Sequence, residues 1–161
     1  MAPDNLDVAT APRETYSLDE LKALAGQEVG TSRWFDMGQP RIDTFADATD
    51  DHQWIHIDPE RAGRESPFHG TVAHGFLTLS LLPAMLDSVL RMRDVKLAVN
   101  YGLNKVRFPA PVLAGSRVRA RVALAAIEDV QGGAQLTFEV TVECEGAAKP
   151  VCVAEFLIRR Y

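Results

Sequence analysis

A chain of 161 residues with 47% hydrophobic and 24% charged side chains has the make-up of an ordinary globular protein, long enough to bury a core without disulfides or a structural metal. A formal net charge of −5 argues against a general nucleic-acid binder, which needs a basic surface to neutralise phosphates. The longest apolar helix candidate, Gly75 to Leu90, is interrupted by Pro83 and falls short of the ~20 residues that cross a bilayer, so no membrane partner is expected.

Residues 1–16 are polar and proline-containing, with no basic start leading into an apolar run. They read as a flexible tail without a signal peptide, ahead of a single domain over 17–161 in a cytoplasmic protein. Ser17 is placed to cap a short helix, Leu18 to Leu24, that stops at Gly26. A strand is expected around Ser32 to Met37, and Arg41 to Thr49 carries Ile42, Phe45 and Ala46 on one helical face. Asp58 followed by Pro59 marks another helix start, ended by Pro67. From Gly75 the chain is apolar nearly all round to Leu86, the mark of a helix buried on most sides.

The second half changes period. Leu136, Phe138, Val140, Val142 and Cys144 alternate with polar residues, and Val118, Ala120, Val122 and Leu124 alternate with Arg117, Arg119 and Arg121. Folding these two runs about Gly132-Gly133 brings the arginines towards Glu139 and Glu143. Val151 to Arg159 is apolar on both parities, as a central strand is, and Lys96 to Phe108 supplies a further long strand. Cys144 and Cys152 lie in strand-like runs without zinc-ligand spacing and read as reduced core thiols. One buried helix followed by long antiparallel strands predicts an α+β chain of hot-dog architecture, an antiparallel sheet wrapped around a long central helix, with a second subunit finishing an edge.

All four histidines, His52, His56, His69 and His74, fall in one segment. Asp51 and His56 lie five residues apart across Trp54 and Ile55, a stretch suited to a loop held against the core. A carboxylate and an imidazole converging there can divide acid and base work in one addition or elimination. The bland alternative makes Asp51 a helix cap and His56 a hydrogen-bonded core residue. Gly75 stands where the apolar helix begins; its free amide and missing side chain suit close approach of a carbonyl oxygen. His74 reads as a loop-ordering residue.

Phe45-Ala46, then Asp51-x-Gln53-Trp54-Ile55-His56-x-Asp58-Pro59, then Ala73-His74-Gly75, resemble the MaoC-like (R)-specific enoyl-CoA hydratases, or (3R)-hydroxyacyl-thioester dehydratases. Tyr101-Gly102-Leu103-Asn104-Lys105-Val106-Arg107-Phe108 is similar to their nodulation-protein-N-like branch. The resemblance implies a hot-dog homodimer acting on an acyl-CoA or other acyl thioester, with Asp51 and His56 as the catalytic dyad and the Gly75 amide holding the thioester oxygen. It implies no cofactor, and no metal site is assigned. Gln53 and Asn104 are further candidate substrate contacts, Asn104 because it shares strand parity with Val106 and Phe108. The chain departs from the family pattern in having Gln53-Trp54 for Asn-Pro and Pro83 where a serine is usual. A hot-dog thioesterase, a non-catalytic acyl-binding protein and a histidine-bound metal hydrolase are the rival readings.

Overall fold

The computed structural model describes residues 14–161. Of the expected tail, residues 1–13 lie outside the described residues, while Glu14–Tyr16 form a short strand, β1. Helix α1, Leu18–Lys22, starts in a capping box: Ser17 Oγ accepts from Glu20 N–H, and Glu20 accepts from Ser17 N–H. Strands β2, Gln27–Thr31, and β3, Phe35–Met37, follow, so of the expected strand over 32–37 only 35–37 is strand, and Ser32–Trp34 separate it from β2, which the sequence reading did not place. Next come α2, Gln39–Thr49, the single turn α3, Trp54–Ile57, and α4, Pro59–Glu65.

The apolar run from Gly75 forms two helical segments, α5, Gly75–Ser80, and α6, Leu82–Val89. The join at Leu81 keeps helical dihedrals, but Leu81 N–H bonds back to Thr78, one residue short of the α-helical partner, and Pro83 has no N–H to give the ladder. The expected long helix is therefore interrupted, and it is not buried all round: Phe76 is 68% exposed, while Leu77, Leu82, Met85 and Leu86 are buried. Strand β4, Leu90–Met92, pairs in parallel with β1.

Four long strands complete the chain: β5, Ala98–Arg107; β6, Ser116–Val130; β7, Gly133–Cys144; and β8, Cys152–Arg160. The main sheet is antiparallel in the order β2-β6-β7-β8-β5, with β3 also on β6. The alternation read in the sequence sets its register. Val118, Val122, Phe138 and Val142 face inward onto Met85, Leu86 and Val89 of α6. On the outer face Glu143 takes both Arg119 (3.1 Å) and Arg121 (2.6 Å), and Arg117 pairs with Glu145; Glu139, expected among these partners, stands opposite Ala123. Cys152 lies opposite Val142 rather than Cys144, and both thiols are free and buried.

Strand β5 pairs with β8 along one side and forms the edge of the sheet. Leu97, Val99, Tyr101 and Leu103 are exposed there, and register shifts interrupt the ladder at two places. Among the described residues no helix is long and apolar enough to cross a membrane.

Candidate active site

The site is assembled where α2, α3 and the start of α5 meet. Helix α2 ends at Asp50, whose left-handed backbone (φ 58°) turns the chain and leaves Asp51 half-exposed above the turn of α3. His56, near the end of that turn, is buried. Its Nδ1 lies 2.6 Å from the carbonyl of Val72. A carbonyl only accepts, so Nδ1 carries the proton and Nε2 keeps its lone pair. The main chain is held as well: Gln39 Nε2 donates to the His56 carbonyl at 2.7 Å, and Thr71 Oγ1 donates to Gln39 Oε1. Burial, the largest influence, pushes the His56 imidazole below its ordinary range, and neighbouring His74 adds to it. The Val72 carbonyl and the Asp51 carboxylate pull the other way.

His74 is buried to 2% exposure and caps α5. Its Nε2–H donates to the Asp51 carbonyl at 2.9 Å and stands 3.9 Å from Asp51 Oδ2, while Nδ1 is buried without a partner. The ring stacks on His56 with centroids 3.8 Å apart and planes 26° from parallel, and Phe45 packs beside it at 5.0 Å. Asp51, His56 and His74 each offer a ligand-type atom within 4.8 Å of the others. A metal ion must lie in the plane of each imidazole that binds it. Nearly parallel stacked rings send their lone pairs side by side rather than to one point, so this trio suits proton transfer better than chelation.

Gly75 opens α5 directly after His74, and its N–H has no acceptor among the described residues. It lines a cleft of about 270 Å³ with Phe68, Thr78, Phe108, Pro109 and Val151. A side chain at Gly75 would meet the Phe108 ring at 2.9 Å, which is why only glycine lets this backbone pack here undisturbed.

Compared with solved structures, the chain superposes on an (R)-hydratase from A. caviae with a TM-score of 0.67 at 21% identity, covering 82% of this chain and 95% of that one. It is 56% identical over 148 residues to 3-hydroxyacyl-thioester dehydratase Z of Mycobacterium tuberculosis, covering 91% of this chain and 97% of the relative. It is 49% identical over 144 residues to nodulation protein N of Rhizobium leguminosarum bv. viciae, covering 88% and 89%. The model of the MaoC like domain matches residues 20–147. The chain belongs to the MaoC-like family.

In this MaoC-like protein Asp51 and His56, singled out in the sequence, lie together beside His74, and Gly75 follows His74 in the chain, although neither dyad residue is among those lining the Gly75 cleft. Gln53 is the exposed cap of α3, beside the dyad but without a side-chain bond to the helix. Asn104 does not point inward. It falls at a register shift between Leu103 and Lys105, where an extra residue breaks the alternation on which the inward expectation rested, and its side chain is exposed. His52 is exposed and paired with Asp47 at 2.9 Å, and His69 is exposed with φ 57°. Gln39 and the Val72 carbonyl, which orient His56, have no local signature. The first acts from 17 residues away, and the second is main chain.

Proposed function

We propose that this MaoC-like protein catalyses the reversible hydration of a trans-2-enoyl thioester, with the CoA ester as substrate, to the (3R)-3-hydroxyacyl thioester. One observation carries the reading: a buried imidazole with Nδ1–H pinned to Val72 and a bare Nε2 stands within 4.8 Å of the Asp51 carboxylate and stacks on His74, the residue before a helix-end amide with no acceptor among the described residues. The two neighbours named above, a 3-hydroxyacyl-thioester dehydratase and an (R)-hydratase, support it.

In the hydration direction His56 Nε2 takes a proton from water as the water oxygen bonds to C3. The electron pair of the C2=C3 bond moves onto the thioester oxygen, where the Gly75 N–H stabilises the enolate. The pair collapses back as C2 takes a proton delivered through Asp51. One proton thus passes from water to His56, along the dyad and onto C2, so the enzyme ends each cycle as it began. Dehydration is the same path reversed. Phe108 and the prolines after it form part of the wall of the cleft beside Gly75.

The protein acts as a homodimer in this reading, supported by the exposed Leu97, Val99, Tyr101 and Leu103 along the β5 edge. Two free cysteines fit a reducing, cytoplasmic setting. The test is hydration of crotonyl-CoA by the wild type, D51N and H56Q, following enoyl absorbance and free thiol together. Loss of absorbance without thiol, reduced by orders of magnitude in both variants, is expected. Thiol release would make the protein a thioesterase, and near-wild-type turnover in either variant would remove the dyad.

A further inference from the structure

The one buried imidazole that the mechanism leaves idle is His74. It is more deeply buried than His56, it donates to the main chain of Asp51, it stacks on the His56 ring, and its own residue is joined to Gly75. It therefore adjoins all three working groups. Its chemistry matches that position. With the proton on Nε2 spent on the Asp51 carbonyl, Nδ1 is a buried acceptor without a donor among the described residues, an arrangement that disfavours folding unless the site gains by it. A leucine or phenylalanine would fill the space without that penalty. Neither supplies an N–H at the distance Asp51 needs.

We propose that His74 is a positioning residue of the dyad, its Nε2–H holding the Asp51 turn and its ring holding the His56 imidazole, so that both groups keep a fixed distance from the Gly75 amide. It neither gives nor takes a proton in the reaction. The other restraints on the turn lie towards α2 and not α5: His52 bonds back to Asp47, Asp50 is left-handed, Gln53 makes no capping bond, and the Asp51 carboxylate is half-exposed. The single 2.9 Å bond from His74 is what ties this turn to the helix that carries Gly75. Misplacement of a reacting group by about 1 Å is enough to slow chemistry about 100-fold without changing how the substrate is gripped.

This inference rests on the hydratase reading, and the experiment separates the two. H74F keeps a flat ring against His56 and removes the donor; H74Q restores an amide N–H at the reach of Nε2; H74N offers one too short to arrive. With crotonyl-CoA, kcat of H74F is expected to fall about 100-fold with KM within about threefold, and H74Q to recover about tenfold of that loss while H74N does not. Nitrogen-15 relaxation of Asp51, His52 and Gln53, measured without substrate, should show order parameters falling from about 0.85 to below about 0.6 in H74F and H74N, and staying high in H74Q. If H74F does not fold, the comparison of H74Q with H74N decides alone. The proposal is overturned by H74F turnover within threefold of wild type, by equal kcat in H74Q and H74N, or by unchanged order in the 51–53 turn. A wild type that does not hydrate enoyl thioesters sinks the hydratase reading, and the relaxation data then still decide whether His74 holds the turn.

Discussion

Replacing Gly75 with alanine separates the stability of this fold from its chemistry. The new Cβ would lie 2.9–3.0 Å from three atoms of the Phe108 ring. Carbon atoms pack best at about 3.5–4.0 Å, so the ring must retreat by about 0.5–1 Å. It has room to do so: Phe108 is 40% exposed, and its visible restraint is an edge contact with Phe76 at 6.1 Å. Weakening that contact costs about 0.5–1.5 kcal/mol, and the gain of alanine over glycine at a helical position offsets up to about 1 kcal/mol. The net change in stability is therefore within about 1 kcal/mol, a shift of a few degrees in Tm. The effect on turnover is larger. The methyl group and the displaced ring both crowd the approach to the Gly75 N–H, and loss of one such donor lowers kcat by about 100- to 1,000-fold. A thermal melt beside an enoyl-CoA absorbance assay reads both quantities. G75A with kcat within threefold of wild type refutes the oxyanion assignment. Activity lost only in step with a large fall in Tm refutes the claim that Phe108 can yield.

Burial holds the His56 pKa below the usual value of about 6.5, so the imidazole is neutral at pH 7 and the acid limb of kcat/KM should fall below 6.5. The same shift sets a stability window: the unfolded chain binds the proton first as pH drops, so the His56 contribution is complete above about 6.5 and is lost as pH falls through the lower native value. Exposed His52 moves the opposite way through its bond to Asp47, and proton NMR should show it titrating above 6.5 while His56 titrates below. Overlapping His52 and His56 titrations would contradict both placements. Ser32→Ala removes the hydroxyl that accepts from Ala120 N–H at 2.8 Å in a buried position, and urea unfolding should show a loss of about 1–3 kcal/mol. Gly133→Ala places a Cβ 2.0 Å from the Arg160 carbonyl oxygen, a main-chain clash that the ladder between β7 and β8 cannot relieve locally. Its Tm should drop by more than that of Ser32→Ala, and a Gly133→Ala protein as stable as wild type would show that the register at this corner is wrong.

What the sequence revealed and what it hid divide along one physical line. Side-chain alternation is local, so Leu136 to Cys144 and Val118 to Leu124 could be assigned to an inward face and the arginine row to the outer one. The same counting failed at Asn104, because a bulge inserts one residue and reverses the faces without leaving a mark in composition. Asp51, His56 and Gly75 were visible because their residue types and spacing carry chemistry. The bonds that arrange them, Gln39 to the His56 carbonyl and His56 to the Val72 carbonyl, are long-range or main-chain and cannot be counted along a sequence. The division at Leu81 was half legible: Pro83 announced a disturbed ladder, but not where it would open.

The Val72 carbonyl that sets the tautomer of His56 belongs to a small lattice of main-chain bonds. Val72 N–H donates to Ile55, Ala73 N–H to Val112 and Ala114 N–H to Thr71, so residues 71–73 are laced between α3 and the segment leading into β6. None of these bonds depends on which side chain occupies position 72 or 113. Any residue at position 72 that keeps this main-chain path leaves the proton-bearing nitrogen of His56 unchanged. The presentation of the base is thus a property of the fold, and is insulated from side-chain drift along this stretch.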